Sequence, residues 1–378
     1  MRIFVALGIS MLLAPCLPIM ASPQPPNPKS FAQWCKQRKT VAISTRATID
    51  ILLGRAETQD CQLADARLRT LTKLNFTGTA TNVSRGCISE RDPDGTEQMR
   101  DLQPLATLTN LQELSLPDNQ IVDVIPLAKL TKLTKLELSS NQITNLQPLA
   151  RLTKLTQLDL SENRIEDLSP LAKLSNLSEL RLDRNQITSL RPITKLRQLS
   201  SLFASSNRIL SLRYLAGLSQ LNTLVLDDNQ ITDLNPLTEL NNLTQLSIDH
   251  NQITRIIPLF ALSKLASLSL EHNQINDIRS LSGLSKLTYL SLARNQISNI
   301  DQLAALIKLT TLELRDNQIG KIESLANLDR LTRLSLDRYQ ITDVKPLQGL
   351  RQLTSLSLTN NQVQLQACPV PTAAVCRF

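Results

Sequence analysis

Apolar side chains recur along this chain on a twenty-two-residue beat. From Leu133 to Lys154 they fall at Leu133, Leu136, Leu138, Ile143, Leu146, Leu149 and Leu152, and the next copy opens at Leu155. The segment 135–139 alternates polar and apolar, the pattern of a strand with one buried face. Beyond it Ile143, Leu146 and Leu149 stand three apart, which predicts a short 3₁₀ or single helical turn on the opposite side. Asparagine keeps the same beat at Asn119, Asn141, Asn163, Asn185, Asn207, Asn229, Asn251, Asn273, Asn295, Asn317 and Asn361, with one lapse at Tyr339. A fixed period of this length means a solenoid. Twelve copies run from residue 111 to 363.

One copy cannot fold alone. Seven buried apolar side chains contribute roughly 10–20 kcal/mol at about 1.5–3 each. Ordering twenty-two residues of backbone costs about 1–2 kcal/mol apiece, so stacking is obligatory. Stacked strands form a parallel sheet with neighbours about 4.8 Å apart. The asparagine amide donates and accepts, so a column of amides inside the turn satisfies backbone groups of adjacent coils. Tyr339 cannot do both, and a local bulge with an outward phenol is expected there. Proline recurs at Pro126, Pro148, Pro170, Pro192, Pro236, Pro258 and Pro346, where it starts the return turn.

The repeat from Leu133 to Lys154 resembles the leucine-rich repeat of internalin type. That resemblance implies an α/β repeat solenoid: an arc with a concave parallel sheet, convex 3₁₀ or short turns and a small α-helical N-terminal cap. It also implies ligand recognition rather than catalysis.

Residues 1–21 read as a secretory signal, with Arg2, an apolar run from Ile3 to Leu17 and a cleavage site at Ala21. Leu13 to Cys16 also resembles a bacterial lipoprotein box, but Pro15 stands where a small residue belongs. No other segment is long and apolar enough to span a bilayer, so the mature chain is expected in the periplasm, envelope or medium. Residues 22–28 form a proline-rich linker. Residues 29–70 are expected to be a helical cap, with Ser44 or Thr45 capping a helix through Leu53 and Asp60 capping another. Its Ile43, Ala47, Ile51, Leu52, Leu63 and Leu68 are expected to cover the first coil. Cys35 and Cys61 flank this block and are expected to pair in an oxidising compartment. Residues 71–110 hold a degenerate first repeat: strand residues Leu71, Leu74 and Phe76, an eighteen-residue polar insert around Gly78 to Gly95, and a half repeat from Asp101 to Leu108. Cys87, in the insert, is the odd thiol. Residues 364–378 form a C-terminal cap, its loop closed by Cys368 and Cys376.

The net charge of +8 is mild. Eight basic against four acidic residues in 29–69 supply half of it. The repeat lysines and arginines intersperse with acids on outer loops, so no basic stripe marks a nucleic-acid reader. Catalytic constellations are absent as well: nine glycines build no phosphate cradle, and no Ser–His–Asp or Cys–His spacing occurs. No cofactor is expected. Sequons at Asn75, Asn82, Asn176 and Asn242 matter only in a eukaryotic secretory pathway.

Solvent-facing strand positions are then the surface free to vary. The central column reads Ser115, Glu137, Asp159, Arg181, Phe203, Val225, Ser247, Ser269, Ser291, Glu313, Ser335, Ser357. Phe203 beside Val225 is an apolar spot flanked by Arg181, Asp183 and Asp227. In its repeat Ala204 replaces a core leucine and Tyr214 replaces the proline. Phe203 either anchors a ligand or compensates the thin core at Ala204. His250 and His272 share one position in consecutive coils, beside Asp227, Asp228, Asp249 and Glu271, so adjacent coils bring the imidazoles to about 5 Å. They read as a polar ledge or, less strongly, as two metal ligands. The acids repel one another and could attract calcium or a basic ligand. With Tyr289, these residues form the expected concave binding face for a protein or envelope glycan on a monomeric scaffold. The alternatives are a structural spacer without a specific ligand, or a metal-dependent activity at the two histidines.

Overall fold

The computed structural model describes residues 28–77, 98–338, 341–361, 368–370 and 375–377. The expected signal segment with Cys16, the expected linker up to residue 27, the expected insert with Cys87, and Tyr339 lie outside the described residues. Among the described residues every strand belongs to one parallel sheet of fourteen, stacked in chain order. It starts at Lys73–Asn75, continues with twelve strands from Glu113–Ser115 to Ser355–Ser357, and ends at Val375–Arg377. Register is unbroken: Leu114, Leu136, Leu158, Leu180 and Leu202 lie opposite one another across successive strands. Those leucines point into a single core that runs the length of the stack. The return side carries 3₁₀ turns such as Gln147–Arg151, with proline at their first positions. This is the leucine-rich repeat solenoid.

The asparagine column works as its chemistry predicts. Asn141 donates from Nδ2 to the Leu116 and Leu138 carbonyls at 2.9 and 3.0 Å. Its Oδ1 accepts from the Ile121 N–H at 2.8 Å. Each amide thus joins its own strand exit to the previous coil, in a site closed to water. The residue just before each asparagine adopts left-handed backbone, φ 54° at Ser140 and 52° at His250, which turns the chain out of the sheet. The coil carrying Tyr214 lacks a 3₁₀ helix, although Leu215 and Leu218 still donate to the Leu212 and Leu215 carbonyls.

The N-terminal cap has three helices: α1 (Phe31–Lys36), α2 (Ile43–Ala56) and α3 (Cys61–Arg69). Asp60 caps α3 as expected, accepting from Gln62 and Leu63 N–H. Neither Ser44 nor Thr45 caps α2, whose N-cap is Ala42 with no side-chain bond, and the helix runs past Gly54 to a left-handed Glu57. The reason is long-range: Thr45 is buried and donates to the Asp101 carboxylate, while Thr48 donates to the Asp101 carbonyl at 2.7 Å. Both hydroxyls tie the cap to the first coil. Ile43 and Leu63 face water at 59% and 44% exposure instead of covering that coil. Phe31, Ile49 and Leu53 fill the cap's core instead. The repeat also resumes earlier than Asp101, because the Met99 N–H already bonds Asn119 Oδ1 at 2.8 Å. Disulfides join Cys35 to Cys61 and Cys368 to Cys376. The expected loop between Cys368 and Cys376 lies largely outside the described residues, but Cys376 lies opposite Leu356 in a further parallel strand. No helix among the described residues is long and apolar enough to cross a membrane.

Candidate functional site

Strand alternation turns Leu202 and Ala204 into the core and leaves Phe203 half-exposed on the opposite, concave face. Phe203 therefore does not fill space at Ala204. Because the register is unbroken, Arg181, Phe203, Val225, Ser247 and Ser269 stand side by side on successive strands. The Arg181 guanidinium lies 4.1 Å over the Phe203 ring centroid, and its Nε contacts Glu179 Oε1 at 2.7 Å. This cation–π pair fixes a long flexible side chain on an aromatic face. Phe203 and the neighbouring Val225 both stay partly exposed.

Asp183, Asp227, Asp249 and Glu271 form the adjoining row, two residues further along each coil. Three of these carboxylates are engaged by the next coil. Asp183 accepts from the Ser205 N–H at 2.8 Å, Asp227 from the Asp249 N–H at 2.8 Å, and Asp249 from the Glu271 N–H at 2.6 Å. Ser247 and Ser269 hydroxyls donate to Asp227 and Asp249 at 2.7 and 2.8 Å. The acid ladder is thus partly structural: its oxygens close the sheet edge rather than only facing a ligand. Burial, with help from neighbouring Asp227, pushes the Asp249 carboxyl up to about 6 despite its Ser269 bond. Burial likewise raises Asp183 and, further along, Glu313. Glu271 reaches across two coils to Arg315 at 2.5 Å. Arg315 escaped the sequence reading, although it is the basic residue that interrupts this acidic column.

Tyr289 is exposed at the first position of its strand, four strands from Phe203, so the two aromatics are about 19 Å apart and belong to separate patches. Burial, and the nearby Asp249 and Glu313, raise its phenol. His250 and His272 sit on the left-handed turns beyond the sheet. Their ring centroids are 4.4 Å apart with planes at 87°, and their Nδ1 atoms approach to 2.6 Å. Asp228 Oδ1 is 3.9 Å from His250 Nδ1. Among the described residues no group of three His, Cys, Asp or Glu could hold a metal.

A second surface went unread in the sequence. On the return side Ile257 and Phe260 are 69% and 60% exposed beside an open groove. A Cβ at Gly283 would meet the Phe260 ring at 3.0 Å, so the glycine of one coil makes room for the ring of the previous one. The signal was there: Phe260 stands where Ala128, Ala150 and Ala172 stand in other copies.

Comparison with known proteins agrees with this architecture. The family described as leucine rich repeats in two copies matches residues 109–151, 153–195, 285–327 and 307–349, and a single leucine rich repeat family matches 242–297. No curated protein matches the chain. Among solved structures, the internalin InlF of Listeria monocytogenes is 34% identical, covering 84% of this chain and 90% of its own, with a TM-score of 0.75. Internalin C2 of the same organism is also 34% identical, covering 61% and 92%, with a TM-score of 0.51. The functional domain of InlJ from Listeria monocytogenes shares the fold at 24% identity and a TM-score of 0.72, covering 92% of this chain and 70% of its own. Repeat, fold and sequence converge: the chain belongs to the internalin-type leucine-rich repeat proteins.

Proposed function

We propose that this chain is an exported, non-enzymatic scaffold that recognises a protein, or an envelope glycan, on its concave sheet face between Arg181 and Glu271. One observation carries the reading. In a row of mostly small or charged side chains, Phe203 and Val225 present apolar surface under an arginine held 4.1 Å above the ring. Aromatic and arginine anchors carry most of the energy of protein interfaces. The sheet behind them is rigid, so little ordering cost accompanies binding.

The test is capture of envelope components by the mature chain and by a Phe203→Ala, Val225→Ala double variant. The variant is expected to lose the partner that the parent retains while keeping the parent's urea midpoint. Equal capture by both would remove this patch from the interface. Export has its own check: mature protein recovered outside the cytoplasm is expected to start just after Ala21. The scaffold acts as a monomer in this reading, so light scattering should return one chain mass across concentration.

A further inference from the structure

The imidazoles of His250 and His272 meet in a way that neither solenoid packing nor concave-face recognition requires. Both backbones are fixed. The His250 N–H bonds the Glu271 carbonyl and the His272 N–H bonds the Ala293 carbonyl, each at 2.9 Å. The asparagines that follow are anchored too, Asn251 to the Asp249 carbonyl and Asn273 to the Ile248 carbonyl, each at 2.9 Å. Two side chains thus leave rigid, equivalent turns one coil apart. Their rings stand at 87° and aim Nδ1 at Nδ1 across 2.6 Å, open to solvent beside Gln252 and Gln274.

At this distance the two nitrogens share a proton, one ring's Nδ1–H donating to the lone pair of the other, and a metal ion that binds both rings replaces that proton. Around one ion with metal–nitrogen bonds of about 2.0–2.1 Å, cis nitrogens sit roughly 3.0–3.4 Å apart. Small swings of the two exposed rings supply the difference. The Asp228 carboxylate occupies the same turn one coil earlier, 3.9 Å from His250 Nδ1, where it balances positive charge. Imidazole nitrogen suits copper, nickel and zinc, whereas calcium and magnesium demand oxygen ligands.

We propose that His250 and His272 form a two-nitrogen clip for a late first-row divalent cation, copper(II) above zinc(II), with water in the remaining positions and Asp228 alongside. The clip lies off the concave sheet, so it stands or falls independently of the Phe203 patch.

The experiment titrates the full chain, carrying no affinity tag, with Cu²⁺ and separately with Zn²⁺, Ca²⁺ and Mg²⁺, by calorimetry and, for copper, by electron paramagnetic resonance. One Cu²⁺ per chain with nitrogen hyperfine structure is expected, with weaker Zn²⁺ binding and none for Ca²⁺ or Mg²⁺. His250→Asn and His272→Asn are each expected to weaken copper by about tenfold or more. Asparagine tolerates the left-handed backbone of both positions, so these variants should melt like the parent. Absence of a one-to-one site overturns the proposal, and so does copper binding that survives intact in the double variant.

Discussion

Between Leu133 and Leu174 the coils keep their template: Pro148 and Pro170 open the return turns, and Ser139 and Ser161 fill the second concave row. Between Leu177 and Leu292 the same positions hold Asp183, Tyr214, Asp227, Asp249 and Glu271, alongside Phe203, the paired histidines and the Phe260–Gly283 contact. The skeleton beneath does not change. Asn163 and Asn251 each donate to the preceding coil's carbonyl, and each accepts from an isoleucine N–H at 2.9 Å. Departures gather where side chains meet water, and the buried amide column lets them accumulate without loosening the stack. Only Ala204 breaks a core position within that stretch, and it remains fully buried.

If that separation holds, removing the amide should cost the same in both regions. Asn163→Ala and Asn251→Ala each strand backbone carbonyls and one N–H away from water. Each unmade bond costs about 1–3 kcal/mol, so a loss of roughly 2–4 kcal/mol is expected for both variants. Urea unfolding followed by circular dichroism measures it. A much smaller loss at Asn251 would show that the irregular region is looser than its geometry implies.

The acid ladder gives the next largest difference, one the regular coils lack. Burial lifts the Asp249 carboxyl to about 6 from an ordinary value near 3.8. A raised carboxyl means that the folded chain takes up the proton more readily than the unfolded chain. Stability from this group is therefore greatest below about pH 4, falls as pH rises to 6, and stays low above. Asp249→Asn keeps Oδ1 for the Glu271 N–H, places an NH₂ that donates to the Ser269 hydroxyl where Oδ2 stood, and carries no charge. Discounted for partial exposure, a gain of about 1 kcal/mol is expected at pH 7.5 and almost none at pH 4. Equal effects at both pH values would contradict a burial cost. Ser161, in the same row of a regular coil, titrates nothing, and the regular coils should show no such slope.

The repeat period pinned whole columns to a face, which is why Leu136, Asn141 and the Arg181–Phe203–Val225 row could be placed from sequence. Pairings made only by stacking were hidden. Thr45 reads as a helix cap by its local pattern, yet its partner is Asp101, fifty-six residues away. Asp227 and Asp249 read as part of a repelling ladder open to cations, because the N–H groups they accept come from the following coil. The approach of the histidines was foreseen at about the right spacing, whereas their ring orientation depends on left-handed turns that no periodicity announces. Phe260 lies on the return side, outside the strand columns, although its own column is otherwise mostly small.

The smallest test restores the template. Tyr214 stands in the proline column, and its N–H makes no backbone hydrogen bond among the described residues, so proline would remove no backbone bond there and would lose the ring's partial packing on the core. The flanking bonds from Leu215 and Leu218 already have the spacing of a 3₁₀ turn. Proline at a compatible site stabilises by about 0.4–1 kcal/mol by restricting the unfolded chain. Against that stands the loss of Arg213 stacked on Tyr214 at 4.5 Å. These two residues are sequence neighbours, so the unfolded chain can make much of the same contact and the net loss is smaller than the gain. Tyr214→Pro should therefore raise stability by about 0.5 kcal/mol, read as a small shift in the urea midpoint. A fall instead would mean that the turn's shape is imposed by the thinned core at Ala204 rather than by the missing proline, and the irregular coil would then be irregular from the inside outward.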